Sequence, residues 1–106
     1  MNTLDNNYDS IEKIIFEEGL KIDSLEILPQ KDFMLIYLTN THVLKIRISL
    51  YDRLKDADIN SLKHYQFIAN GTGIHWPSLD EDLSLKGFLR EFLRQRIKQE
   101  QQLDIV

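Results

Sequence analysis

The residues of this chain best suited to chemistry lie between His75 and Asp82. The stretch His75-Trp76-Pro77-Ser78-Leu79-Asp80-Glu81-Asp82 sets one imidazole beside three carboxylates. Nitrogen and oxygen donors that close could hold a divalent cation, and a water on it would make a small metal-dependent hydrolase of the His75/Asp80/Asp82 junction. Two features count against this. Strand alternation puts Ile74 and Trp76 on one face and His75 on the other, and acids just before a helix are already favoured by its dipole, by ~0.3–1 kcal/mol each. His42 and His64 share no motif with His75. Nucleophilic catalysis would need a serine with a base and an oxyanion device, and the chain has no nucleophile elbow or glycine-rich loop. Gly71-Thr72-Gly73 leads into a strand rather than a helix, so it does not cradle phosphate. The expectation is no metal, no cofactor, no catalytic residue and no enzyme.

A second pattern points to binding. Lys86, Arg90, Arg94 and Lys98 recur every four residues and form a basic column opposite an apolar stripe. The plain reading is a solvated helix face, with cations suitably placed toward its C-terminal end. The functional reading is an electrostatic surface for an acidic partner, protein or nucleic acid. These four are the candidate partner-binding residues. Residues 1–23 hold six acids (Asp5, Asp9, Glu12, Glu17, Glu18 and Asp23) against two lysines. That arm could neutralise the column within one chain or across a dimer.

The elements must position these groups within a small chain. At 106 residues, with 42% hydrophobic and 28% charged residues, it reads as one domain able to bury a core. The net charge of −4 argues against nonspecific nucleic-acid binding by the whole surface. Without cysteine there is no disulfide, thiolate metal site or cysteine nucleophile. No apolar run approaches the ~20 residues that span a bilayer, and the start of the chain is unlike a signal peptide. The expected location is the cytoplasm.

Residues 1–8 read as a loose tail. Asp9-Ser10-Ile11-Glu12 is a capping box opening a helix over about 10–18, with Ile11, Ile14 and Ile15 on one face and Gly19 as its left-handed stop. Three strands follow. The first runs from Lys21 to Leu28. Phe33–Leu38, apolar throughout, reads as a strand covered on both faces. In His42–Ser49 the residues Leu44, Ile46 and Ile48 alternate with Val43, Lys45 and Arg47. Short loops make these an antiparallel meander, with Asn40 taking the positive φ of the tight turn. A turn near Tyr51–Leu54 precedes a short helix around Ile59–Tyr65 that points Ile59 and Leu62 inward. Asn70-Gly71 then marks a second hairpin ending at Trp76. Trp76 and Pro77 act as core anchor and strand terminator, followed by an acidic loop whose Asp82 leads to Ser84, the helix N-cap. Leu85, Phe88, Leu89, Phe92 and Leu93 form one apolar stripe, which fails after Leu93.

Leu25–Leu38, the hairpin through Ile48, Phe67, and above all Gly73-Ile74-His75-Trp76-Pro77 with Asp80-Glu81-Asp82-Leu83-Ser84 resemble the prokaryotic domain-of-unknown-function family 2442 over about residues 20–90. That family carries an Ile-x-Trp-Pro segment followed by an acidic-Leu stretch and a helix. Its usual glycine in the first hairpin is replaced here by Asn40-Thr41. The resemblance implies a small α+β domain, at times fused to a helix-turn-helix, with members in toxin–antitoxin-like gene pairs, and it brings no catalytic residues. The expected architecture is α+β: a three-stranded antiparallel meander plus a short second hairpin, flanked by an N-terminal helix, a short middle helix and a longer C-terminal helix. Residues 1–19 would form tail and helix, 20–84 the core, and 85–106 the last helix and tail. The leading function is a non-enzymatic interaction module, antitoxin-like or regulatory, that docks a partner protein or a second copy. A nucleic-acid-binding accessory protein using the basic column comes second, and the metal-dependent hydrolase third.

Overall fold

The computed structural model describes residues 8–105, with side chains through Gln99. All of the expected tail but Tyr8 lies outside the described residues. The first helix, α1 (Ser10–Glu12), continues as a π-helical turn over Lys13–Glu17. Its capping box is complete: the Glu12 N–H donates to Asp9 Oδ1 at 2.8 Å, and the Asp9 N–H donates to Glu12 Oε1 at 3.0 Å. Gly19, at φ 79°, turns the chain out of the helix as a residue without Cβ can. Only Ile15 of the three isoleucines is buried, because so short a helix has room for one.

Strands β1 (Ile22–Leu28), β2 (Phe33–Leu38) and β3 (Val43–Arg47) form an antiparallel sheet in the order β1-β2-β3. The meander is the expected one, with three corrections. A bulge inserts Asp23 between the Ile22↔Leu38 and Ser24↔Tyr37 pairs. It returns Ile22, Leu25 and Ile27 to the core face, which a strict alternation from Ile22 would not do. Second, β2 is not covered on both faces: Met34, Ile36 and Leu38 are buried, while Phe33, Leu35 and Tyr37 are half-buried. Charged neighbours cover that outer row, with Lys45 Nζ 4.5 Å from the Phe33 ring centroid and the Tyr37 hydroxyl donating to Glu26 Oε1 at 2.9 Å. Third, the positive φ of the β2–β3 turn falls on Thr41 (φ 73°), and the Asn40 side chain instead accepts the His42 N–H at 3.1 Å. A β-branched residue in that region is strained.

Asp32 closes the other end of this sheet. Itself left-handed (φ 58°), it accepts the Ser49 N–H at 3.0 Å and the Ser49 hydroxyl at 2.5 Å, pinning the exit of β3 to the entry of β2. The third strand is therefore shorter than expected, since Ile48–Leu50 is a 3₁₀ turn. The expected turn at Tyr51–Leu54 is a short helix, α2 (Asp52–Lys55), which buries Leu54. Helix α3 (Ile59–Lys63) is capped by Asp58, whose carboxylate accepts the Ser61 N–H at 2.7 Å. It buries Leu62, but Ile59, expected inward, is exposed because the first turn of α3 faces solvent.

The second sheet holds β4 (Gln66–Ile68), β5 (Gly73–Trp76) and β6 (Glu81–Ser84), in that order and antiparallel. Its first hairpin turns through Ala69, Asn70 and Gly71, all at positive φ. The second hairpin of the sequence reading thus gains a third strand, because Glu81, Asp82 and Leu83 pair with Trp76, His75 and Ile74. Helix α4 (Leu85–Ile105) begins directly after β6, and the Gly87 N–H donates to Ser84 Oγ at 3.0 Å, so Ser84 ends a strand and caps a helix at once. The core is one apolar cluster running from Ile15 and the first sheet through Leu54 and Leu62 to Ile74, Trp76, Leu85 and Phe88, with no buried charge among the described residues. None of the described helices is long and apolar enough to cross a membrane.

Candidate functional site

The His75/Asp80/Asp82 junction is divided by the second sheet. His75 and Asp82 are cross-strand partners, with Nδ1 and Oδ1 2.5 Å apart. Asp80 sits in the left-handed β5–β6 turn at φ 51° and is held from outside by Arg53, which donates to its backbone oxygen and lies 3.2 Å from Oδ2. No three His, Asp or Glu side chains converge as a metal site among the described residues. Trp76 is fully buried, and its indole N–H donates to the Leu62 carbonyl at 2.8 Å, tying β5 to the end of α3. Tyr65 stands beside it at 6.3 Å between ring centroids and donates its hydroxyl to Leu25 O at 3.3 Å, so the same aromatic pair reaches the first sheet. Pro77 opens the 3₁₀ turn that ends β5.

The basic column splits in two. Lys86 Nζ donates to Glu12 Oε2 at 2.7 Å and lies 3.8 Å from Asp9, while Arg90 reaches Asp9 Oδ2 at 3.4 Å. Capping carboxylates of α1 therefore occupy its first half within one chain. The Glu12 carboxyl is held below its ordinary range chiefly by the Lys86 ammonium, and the Asp9 carboxyl chiefly by the Glu12 backbone N–H it accepts. In the second half, Arg94 donates to Glu91 of its own helix at 2.9 Å, and Lys98 is exposed.

The packing of α1 on α4 leaves an open apolar groove of about 530 Å³ on one side of the molecule. Ile11 and Ile14 of α1 form one wall, Val43 and Leu44 of β3 the other, and Leu89, Phe92 and Leu93 of α4 the floor and lip, with Asn40 and His42 at the edge. Three of these side chains stand well out of the surface: Ile14 is 38%, Val43 42% and Leu93 48% exposed. A contiguous exposed apolar surface costs free energy until something covers it. Nothing in the sequence reading assembled this site. Its one signal was surplus: Ile11, Ile14 and Leu93 belong to apolar stripes longer than the core they face.

A smaller groove of about 330 Å³ lies between β3 and α4, where Lys45 and Arg47 approach Arg96, with Gln95, Gln99 and Phe92 completing the lining. Here the outward cations of a strand meet a helix cation outside the predicted column.

Two small antiparallel three-stranded sheets, joined by short helices and closed by a long C-terminal helix, define the class as a compact α+β domain. The chain belongs to the family described as Protein of unknown function (DUF2442), whose model matches residues 22–94. A protein of unknown function from Rhodospirillum rubrum has a similar solved structure, with TM-score 0.61 and 23% identity over 70% of this chain and 89% of that one. An uncharacterised protein from Chromobacterium violaceum has TM-score 0.63 and 23% identity over 85% of this chain and 82% of that one. At such identity these two show the shared fold. No curated protein matches the chain. The α1 wall of the apolar groove lies outside the residues that the family matches.

Proposed function

We propose that this protein is a non-enzymatic interaction module, antitoxin-like or regulatory, which docks a partner protein in the groove between α1, β3 and α4. One observation carries the reading: an open, almost wholly apolar groove whose lip residues Ile14, Val43 and Leu93 protrude into solvent. Apolar anchors of this kind, rimmed by polar groups, supply most of the free energy when protein surfaces associate. The paired carboxylates and cations between α1 and α4 hold the groove's wall in place rather than meeting the partner. Affinity capture from native cells, with mass spectrometry, tests the reading on the wild type and on Val43→Glu. Loss of a captured protein with Val43→Glu is the expected result, and capture that ignores the substitution would count against the groove. A small toxin-like reading frame next to the gene would favour the antitoxin-like form.

The second reading is a nucleic-acid accessory protein, favoured by the Lys45/Arg47/Arg96 groove. Fluorescence anisotropy with labelled DNA and RNA duplexes at two salt concentrations tests it. Phosphate contacts would give an affinity falling steeply with salt, and Lys45→Glu/Arg96→Glu would abolish it. Binding of that kind would displace the leading reading.

A further inference from the structure

The apolar groove and the smaller cationic groove are halves of one cleft. Both lie between β3 and α4, and Phe92 lines both. Along β3 the outward residues change from Val43 to Lys45 and Arg47. Along α4 the lining changes from Leu89 and Leu93 to Arg96 and Gln99. The two walls therefore turn from apolar to cationic in the same direction. Among the described residues no carboxylate lines the cationic half, and the Asp32 carboxylate that lies 3.8 Å from Arg47 is outside the lining. Val43 to Arg47 spans about 13 Å of strand, and Leu89 to Gln99 about 15 Å of helix. The cleft thus takes roughly ten residues of helix or four of extended chain.

We infer that the partner docked in this cleft is a short polypeptide segment, apolar at one end and acidic at the other, whose carboxylates sit on Lys45, Arg47 and Arg96. The inference rests on the groove reading above and gives its partner a chemistry. The distribution of charge makes the choice. A nucleic acid carries its charge evenly, a duplex one per about 1.7 Å. Laid along the cleft, it would set half of its phosphates against Val43, Leu89 and Leu93. A wholly apolar segment would cover the other half and leave its cations unanswered. A segment of mixed character satisfies both halves at once. The chain already pairs α4 with such a segment of its own. The first helix packs Ile11 and Ile15 on the core and sets Glu12 on Lys86 and Asp9 on Arg90.

A random-peptide library displayed on phage, selected against the full chain, tests this without knowing the partner. Enriched peptides should join an apolar cluster to aspartates or glutamates. The strongest, synthesised with a fluorescent label, should lose affinity about tenfold or more on Lys45→Glu/Arg96→Glu by anisotropy. Changing its acids to lysines should restore binding to that variant and not to the wild type. Both substituted side chains are exposed, so the circular dichroism of the variant should match the wild type. Arg47 is left in place because it also faces Asp32. Enriched peptides without acids that are lost with Val43→Glu would leave the groove reading standing and sink the acidic end. Acidic peptides that bind the double variant as well as the wild type would do the same. If no enriched peptide depends on Val43, both readings fall. An oligonucleotide or oleate that displaces the selected peptide, and binds more tightly than it does, also overturns the inference.

Discussion

Trp76 is the residue on which both sheets depend. Its ring fills the space between β5 and α3, and its N–H satisfies a buried carbonyl that would otherwise be orphaned. Trp76→Ala should cost ~3–5 kcal/mol, a large part of the stability of so small a domain. Trp76→Phe retains most of the volume but leaves the Leu62 carbonyl unpaired, and should cost roughly 1–3 kcal/mol. Denaturant melts of both variants check the order. Thr41 is the opposite case, a residue that its position penalises. Thr41→Gly relieves the left-handed strain and gives back part of the gain as chain entropy, for a net stabilisation of about 0.5–1 kcal/mol. A melt showing no gain would mean that the turn is not strained. Tyr51, packed edge-on to Phe88 at 6.3 Å, has its hydroxyl pushed up to about 12 by burial, with Glu91 and Glu81 adding to the shift. A raised pKa in the folded state means that its contribution is intact below the unfolded value of about 10 and is lost as pH rises toward 12. Absorbance titration of the tyrosines against Tyr51→Phe should show this one ionising last.

At the scale of elements, α1 is fastened to α4 by carboxylates that also cap it. Lys86→Glu faces Asp9 and Glu12 with a third acid and should release α1 while the meander stays folded. Amide exchange should then rise over residues 10–18 and stay slow in β2 and β3. Global stability should change little, since these pairs lie at the surface, where water and salt screen them. Acid should do the same. Both carboxyls are lowered in the folded state, so their contribution is present above their ordinary values and fades as pH falls below about 4. Exchange over α1 that ignores both changes would show that apolar contacts alone hold the helix.

For the whole molecule, the continuity of the core decides how it unfolds. One apolar cluster includes both sheets, and no linker separates them. Trp76, the only tryptophan, reports the second sheet, while far-ultraviolet dichroism averages over all elements. The two signals should follow one transition with the same midpoint and slope, as for a two-state domain. Separate midpoints would mean that each sheet can stand alone.

Much of this molecule is written in residues only a few positions apart. The Asp9/Glu12 capping box, the Gly19 stop, the alternation of β3, the Asn70-Gly71 hairpin and the stripe from Leu85 to Phe92 all follow local rules, because a cap, a turn or a face is set by spacing along one element. The family resemblance was legible in the same way, through Trp-Pro and the acidic stretch after it. What the sequence did not reveal depends on pairing between distant segments. Glu81–Ser84 is a polar run that no alternation marks as a strand, and it becomes one because β5 supplies hydrogen-bond partners on its free edge. Asp23 reads as one more strand position until pairing with β2 makes it the extra residue of a bulge. The acidic arm reads as able to neutralise the basic column within one chain or across a dimer, and folding brings Glu12 to Lys86 of the same chain, 74 residues away. The groove is made the same way, from apolar residues on α1, β3 and α4 that all looked like core except Val43, which alternation put on the outer face. Burial is a property of the assembled surface, and only the tertiary structure determines which of them remain outside.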